Sequence, residues 1–569
     1  MKMASTTAVA LALAAARIHF LPGAFAFAFV TPAVGGTNRP TWAVASTRAQ
    51  QQQDPLPPWD ETSNPIATVR EMLAAPDAPE DTPNRFDGVG GSSGGIWRSR
   101  VYGLLPATVI DAREGTKWMM KEEAAGNLYQ DWLESTIQVV GEFSHNNNNN
   151  NNNLGTQHEV HTIVRRVYGE AFSPKAILRL QPLLEASLGR LVLRWEELAE
   201  TGQQELTMQD DLRRFSLESI AGAFFGDYAT PRFIEDTARL LPILSQGLIS
   251  IPFRFPPPLN KLPMLGFGIS MDAREELKGV IRDALHRRRV DLGSGEGTSK
   301  NPGVLDSFFD LQDQQQMGAE GALDGSFSFD DDFIIDNGVV ALFGGIDTTS
   351  VTLTRMLQLL GTAEDGKEVM DQLIDELNND ATSGDIALEG GAAGSVGTLE
   401  SLPLLKALVL ESSRLYPAIA GLFRKARKDF SYNGYLIPEG QTINWNLIHG
   451  SRAEKLYPEP EKFCPFRFLH GDEEKDTDSP GARSPGQPIP PMWGFGKHMC
   501  PGRDLAKLEI VLFMKTFLPK FDFEIVQGQS FKSTLPTGGP KDKLRIILKA
   551  KPATTATTTV PRTKSIVTS

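Results

Sequence analysis

Cys500 is one of only two cysteines in 569 residues, and it stands in "WGFGKHMCPGRDLAKLEI", Trp493 to Ile510. A cysteine that ligates a metal as thiolate needs a constrained turn, nearby amide N–H groups and shelter from oxidation. Gly494, Gly496 and Gly502 permit backbone conformations and close approaches that a side chain would block. Pro501 suits the first turn of a helix, and Leu505, Leu508 and Leu512 then share one helical face. Cys500 is therefore expected at a helix N-terminus, where the dipole favours a negative sulfur. Cys464 has no such loop around it and reads as a packing residue.

Three other groupings could carry chemistry. "FIIDNGVVALFGGIDTTSVTLTRMLQLL" is an apolar helical stretch with a polar centre. Gly344 and Gly345 cost such a helix roughly 1 kcal/mol each against Ala, and Asp347, Thr348, Thr349 and Ser350 follow them. Glycines beside an acid and a hydroxyl make room for a ligand and water; a kink with hydroxyls bonded back to the turn is the plainer alternative. In "ALVLESSRLYP", Glu411 and Arg414 share a helix face. In "HTIVRRVYGEAFS", so do His161 and Arg165, and an Arg suits paired bonds to a carboxylate.

Taken together, Trp493, Gly494, Gly496, His498, Cys500, Gly502 and Ala506 resemble the haem-binding signature of the cytochrome P450 superfamily, with Trp493 where Phe is usual. The resemblance implies that Cys500 is the axial ligand of the haem iron and that His498 lies close to a haem propionate. It makes the Gly344–Ser350 stretch the oxygen-binding helix. There Gly344 leaves space over the iron, Thr348 positions a proton-donating water network and Asp347 feeds it. "CPFRF" supplies Pro465, Arg467 and Phe468 of a second family segment, so Glu411, Arg414 and Arg467 are expected as a buried structural network. Further propionate contacts are implied for Arg424, five residues before Asp429, and for His161 and Arg165. His158 is an alternative to His161, because the asparagine insertion blurs that alignment.

The implied cofactor is haem b, and the implied reaction is monooxygenation with dioxygen and two electrons from ferredoxin or NADPH–cytochrome P450 reductase. "PAIAGLFRKARKDFSYNGYLIPEGQTI" and "CPGRDLAKLEIVLF" are similar to the clan of retinoic-acid hydroxylases and plant sterol and abscisic-acid hydroxylases. That similarity implies a lipophilic isoprenoid substrate: a retinoid, apocarotenoid, sterol or terpenoid. "LISIPFRFPPPLNKLPMLGF" falls where the family has its substrate-access loop, and a membrane-surface contact through Phe253 and Phe255 is expected there. Two alternatives stay open. The same fold can isomerise or dehydrate hydroperoxides, although such members usually lack the helix threonine. A non-catalytic haem-binding protein would have no need of Asp347 and Thr348.

These residues need a large scaffold, and the composition permits one. The chain is 40% hydrophobic with a net charge of −13. The acidic balance excludes a nucleic-acid binder, which needs a basic face, and two cysteines exclude a disulfide framework. Length alone suggests about one domain per 150 residues, but no linker divides the middle of the chain. The expected fold is mainly α with a smaller β part, the cytochrome P450 fold, over residues 85–550. Two strand-like runs lie within Gly94 to Asp111, helical patterns dominate from Arg113, and short strands fall near Phe430 to Thr442 and Phe521 to Leu548. Low-complexity insertions are read near 146–153, 388–397 and 471–488, a Pro/Gly-rich linker over 54–84, and a loose tail over 551–569.

Residues 1–53 contain Lys2, Arg17, Arg39 and Arg48 but no acid. A short apolar run after Lys2, then "AFAF", then Ser, Thr and Arg, reads as a two-step targeting signal to a plastid. The rival is a membrane anchor in the endoplasmic reticulum. Arg17, His19 and Pro22 interrupt the apolar run and make it a poor spanning helix.

Overall fold

The computed structural model describes residues 96–101, 105–125, 127–130, 154–201, 205–248, 250, 254–262, 265–294, 301–316, 329–379, 399–432, 434–452, 454, 456–469, 490–534 and 537–551. These lie within one unit spanning 53–569. The targeting segment, the 54–84 linker, the three insertions and residues 552–569 of the tail fall outside the described residues.

The chain opens with an antiparallel pair, β1 (Ile96–Val101) and β2 (Leu105–Asp111), then α1 (Ala112–Ala124) and β3 (Leu128–Gln130). Helices follow: α2 (Leu154–Ala171), α3 (Pro174–Thr201), and, after β4 (Glu205–Thr207), α4 (Met208–Phe225). Next come α5 (Pro231–Gly247), α6 (Phe267–Ser294), α7 (Val304–Gln316), α8 (Asp331–Thr362), α9 (Gly366–Asn379) and α10 (Pro403–Leu415). The C-terminal third holds β5 (Gly421–Ala426), β6 (Phe430–Tyr432), β7 (Tyr435–Ile437), β8 (Thr442–Asn446), α11 (Leu447–Ser451), α12 (Arg503–Phe517), β9 (Phe521–Ile525) and β10 (Arg545–Ala550). One sheet runs β1-β2-β8-β5-β3, a second β4-β10-β9, and β6-β7 form a hairpin. The β2–β8 pair is parallel; the other pairs are antiparallel. β3 and β4 are three residues each, too short for any periodicity to reveal from sequence.

α8 is the axis of the helical part. Its first turn is set by Asp330, whose carboxylate accepts the Phe333 N–H at 2.9 Å, and Asp331 and Asp332 complement the helix dipole. Its 32 residues give a rod about 48 Å long. Side chains buried on nearly every face mark it as a core helix rather than a surface one. α4 lies against it so closely that a Cβ on Gly345 would fall 2.7 Å from Ile220. One of the two paired glycines is thus required by helix packing.

Two apolar cores result. The larger gathers α3, α4, α6, α8, α10 and α12. The smaller joins α1 (Met119) to the sheet through Leu128, Ala426, Ile443 and Trp445, and it includes Phe495 from the cysteine loop. Among the described residues no helix is long and apolar enough to cross a membrane.

Candidate active site

The cysteine loop is closed by its own backbone. The Cys500 N–H donates to the Trp493 carbonyl at 2.8 Å. Gly494 at φ +70° and Gly496 at φ +58° occupy the left-handed region, so both positions require glycine. Between them Phe495 is buried, packs edge-on against Trp445 with ring centroids 4.8 Å apart, and lies under the Arg424 guanidinium. Phe495 therefore anchors the loop in the smaller core, a role its sequence position did not reveal. Trp493 is half-buried, and its carbonyl accepts the bond that closes the loop.

α12 begins at Arg503, with Gly502 before it, and buries Leu505, Leu508 and Leu512. Cys500 is reached by solvent but hemmed in by protein on its other sides. That burial pushes the thiol above its ordinary value, against the Gly502 N–H and the charges of Arg165 and Arg503. A bound metal ion would act in the opposite direction and favour the thiolate.

Four cationic or imidazole side chains gather from three elements. The His161 and His498 rings meet at a tilt with centroids 4.6 Å apart, which joins α2 to the cysteine loop. Arg165, one turn on from His161, is half-buried and close enough to Cys500 to influence it; burial lowers its own pKa. Arg424 on β5 is 2% exposed and donates to Glu123 at 3.1 Å. His498 Nε2 lies 3.2 Å from the same Glu123 oxygen. Burial depresses the Arg424 pKa, and Glu123 partly restores it. Glu123 sits at the end of α1 in "KEEAA", a stretch that reads as a solvated helix end, so no sequence signal marked it. The His158 side chain lies outside the described residues.

α8 divides its polar residues between two faces. Gly344 is exposed, and a Cβ there would meet nothing within 4 Å. Thr348, one turn on, donates from Oγ1 to the Gly344 carbonyl at 2.8 Å. Asp347 points elsewhere, because adjacent helical residues do not share a face. Its carboxylate lies 2.8 Å from Arg213 Nε on α4, at an angle too skewed for an aligned bond to that oxygen. Burial raises the Asp347 pKa; Arg213, Lys543 and Ser245 oppose the shift without cancelling it. The acid and the alcohol are thus neighbours in sequence but not partners in space, and Arg213 is a site residue the sequence did not indicate.

Glu411, Arg414 and Arg467 come together in the interior. Arg414 holds both Glu411 oxygens at 2.7 and 2.8 Å, and Arg467 Nε reaches Glu411 at 3.2 Å. Arg414 also donates to the carbonyls of Ser451 and Pro460, and Arg467 to that of Pro458. Cys464 joins through its backbone, with its N–H 2.9 Å from Glu411.

The residues present fit an iron porphyrin. A lone thiol is offered on a closed loop, two guanidiniums and two imidazoles suit a pair of propionates, and the open space beside Gly344 would admit a flat macrocycle. The family model for Cytochrome P450 matches residues 113–553. A taxoid 14-beta-hydroxylase of Taxus cuspidata is 26% identical over 79% of this chain and 80% of that protein. Abscisic acid 8'-hydroxylase 2 of Arabidopsis thaliana is 26% identical over 80% of this chain and 82% of its own length. A solved cyanobacterial cytochrome P450 with retinoic acid bound superposes with a TM-score of 0.61 at 24% identity, over 81% of this chain and 93% of that one. With well over half of its length matched, and with relatives named as hydroxylases, this chain belongs to the cytochrome P450 family and is a monooxygenase with a haem-thiolate cofactor.

Proposed function

We propose that this cytochrome P450 hydroxylates a lipophilic isoprenoid with haem b held by Cys500. The observation that supports the substrate class is shared chemistry among its relatives. Their names specify taxoid, abscisic acid and beta-amyrin, and retinoic acid is bound in the similar structure. All are isoprenoid skeletons. The expected result is a spin-state shift of the purified protein with retinoids, apocarotenoids, sterols or terpenoids. A shift with fatty acids and with none of these would sink the assignment.

When bound, the haem supplies the activation of dioxygen, and the protein supplies pocket, orientation and protons. His161, Arg165, Arg424 and His498 would orient the propionates. Thr348 Oγ1 holds a proton at the open face of α8, and its bond to the Gly344 carbonyl fixes the hydroxyl there. Asp347 draws its proton from the Arg213 side and must turn between faces to deliver it. Thr348→Ala is expected to leave NADPH consumption but to lower product per NADPH several-fold, with the difference appearing as hydrogen peroxide. For Asp347→Asn we expect a fall in turnover of about 10²-fold, the low end for losing an acid–base group. Unchanged coupling in the first variant and unchanged turnover in the second would exclude the relay.

Substrate enters from a lipid surface near Leu259 and Leu262, which are 39% and 49% exposed beside Pro256, Pro257 and Pro258. Of the two phenylalanines expected there, Phe255 is half-buried and Phe253 lies outside the described residues. Leu259→Asp with Leu262→Asp should cut the liposome-bound fraction several-fold; equal binding would refute the contact. Electrons come from ferredoxin if the acid-free N-terminus directs the protein to a plastid, and from NADPH–cytochrome P450 reductase in the endoplasmic reticulum. Fluorescent tagging behind residues 1–53 decides between the two.

A further inference from the structure

Glu509 is 1% exposed on α12, nine positions after Cys500. Its two carboxyl oxygens meet the hydroxyls of Ser216 at 2.9 Å and Ser219 at 2.7 Å, both on α4. No charged group among the described residues contributes to its ionisation. A carboxylate in such a place would be costly, whereas the neutral acid can donate to one hydroxyl and accept from the other. Burial pushes the Glu509 pKa up to about 8, and the two serines only partly oppose it.

The same α4 carries Arg213, which meets Asp347, and Ile220, which packs on Gly345. One helix therefore touches the acid of α8, its close-packed glycine, and the helix that follows the cysteine loop.

We propose that Glu509 is a positioning residue: as a neutral acid bonded to Ser216 and Ser219, it fixes α12 against α4 and keeps the cysteine loop in register with the Arg213–Asp347 pair. The Asp347 half of this inference rests on the proton-delivery role proposed above; the cysteine-loop half does not.

The test uses full-length haem-loaded protein with Glu509→Gln, Glu509→Met and the double variant Ser216→Ala with Ser219→Ala. Three quantities are read: lifetime of the red-shifted carbon-monoxide band, product per NADPH, and melting temperature from pH 5 to 9. Gln keeps the shape without a titrating proton, so at pH 7 it should match the native protein within about twofold on the first two. Met and the serine double variant should shorten the band lifetime and lower coupling several-fold. The sign of the pH effect follows from the raised pKa. Between the ordinary carboxylate value and about 8 the folded chain holds a proton the unfolded chain releases, so native stability falls with rising pH. The melting gap in favour of Glu509→Gln should widen up to about pH 8 and then level, and above pH 8 only the native protein should lose coupling.

If Met and the serine variant keep band lifetime and coupling, or if Gln falls as far as Met, the inference is wrong. Should Met fail to fold, the serine variant decides, since it removes both hydroxyl partners without adding volume. Unchanged turnover in Asp347→Asn would remove the relay, whereas the band lifetime reports on α12 independently.

Discussion

Cys500→Ser is expected to abolish the red-shifted carbon-monoxide band of the reduced protein and to reduce turnover to background, while the protein stays folded. The fold survives because the contacts that close and anchor the loop do not use the Cys500 sulfur. Its closure is the Cys500 N–H to the Trp493 carbonyl, its shape comes from two left-handed glycines, and its anchor is Phe495 against Trp445. Serine retains all of these and is close in size. What it cannot do is give the iron a soft, electron-rich thiolate, the ligand that favours O–O cleavage in this family. The melting temperature should remain near that of the native protein. An intact band in Cys500→Ser would move the ligand elsewhere, and Cys464 would have to be reconsidered, although it is half-buried and interacts here through its backbone.

Glu411→Gln is expected to cost about 3–5 kcal/mol, the usual penalty for removing one partner of a buried ion pair. Total stability of a domain is of order 5–15 kcal/mol, so the single change removes a large share of it. The size of the effect follows from the geometry. Glu411 and Arg414 side chains are both 0% exposed, and Arg467 is 6%. One carboxylate faces two guanidiniums and the Cys464 N–H. The carboxamide keeps the shape but removes the only negative charge that these two arginines contact in the set. Because Arg414 and Arg467 also hold the carbonyls of Ser451, Pro458 and Pro460, the loosened segment is the one leading to the cysteine loop. Urea unfolding within 1 kcal/mol of the native protein would show that the network is dispensable. By contrast, a joint replacement of all three by apolar residues of similar volume should be far milder than the single change.

The features legible in the sequence are those carried by local geometry. Glycines that must adopt positive φ, a proline ahead of a helix and a cysteine between them lie within ten residues, so "GFGKHMCPG" announces its own turn. Glu411 and Arg414 are three apart on one helix and meet wherever that helix goes. The alternation of long helical stretches with short strands gave the α-rich class. β3 and β4 stayed hidden because three residues carry no period, and they become strands only when β5 and β10 supply partners.

The sequence by itself determined which residues could do chemistry: one thiol on a closed loop, a hydroxyl and an acid on a glycine-bearing helix, and cations spaced for carboxylates. Only the tertiary structure decided their partners. Asp347 belongs to Arg213 rather than Thr348, because a helix turns adjacent side chains about 100° apart and α4 lies on the acid's side. Cys500 gains Arg165 as a charged neighbour, because α2 and the cysteine loop meet only in the fold. Glu123 and Glu509 look like surface helix charges in the sequence. Each is buried by chain hundreds of residues away, and distances of that kind leave no trace in local spacing.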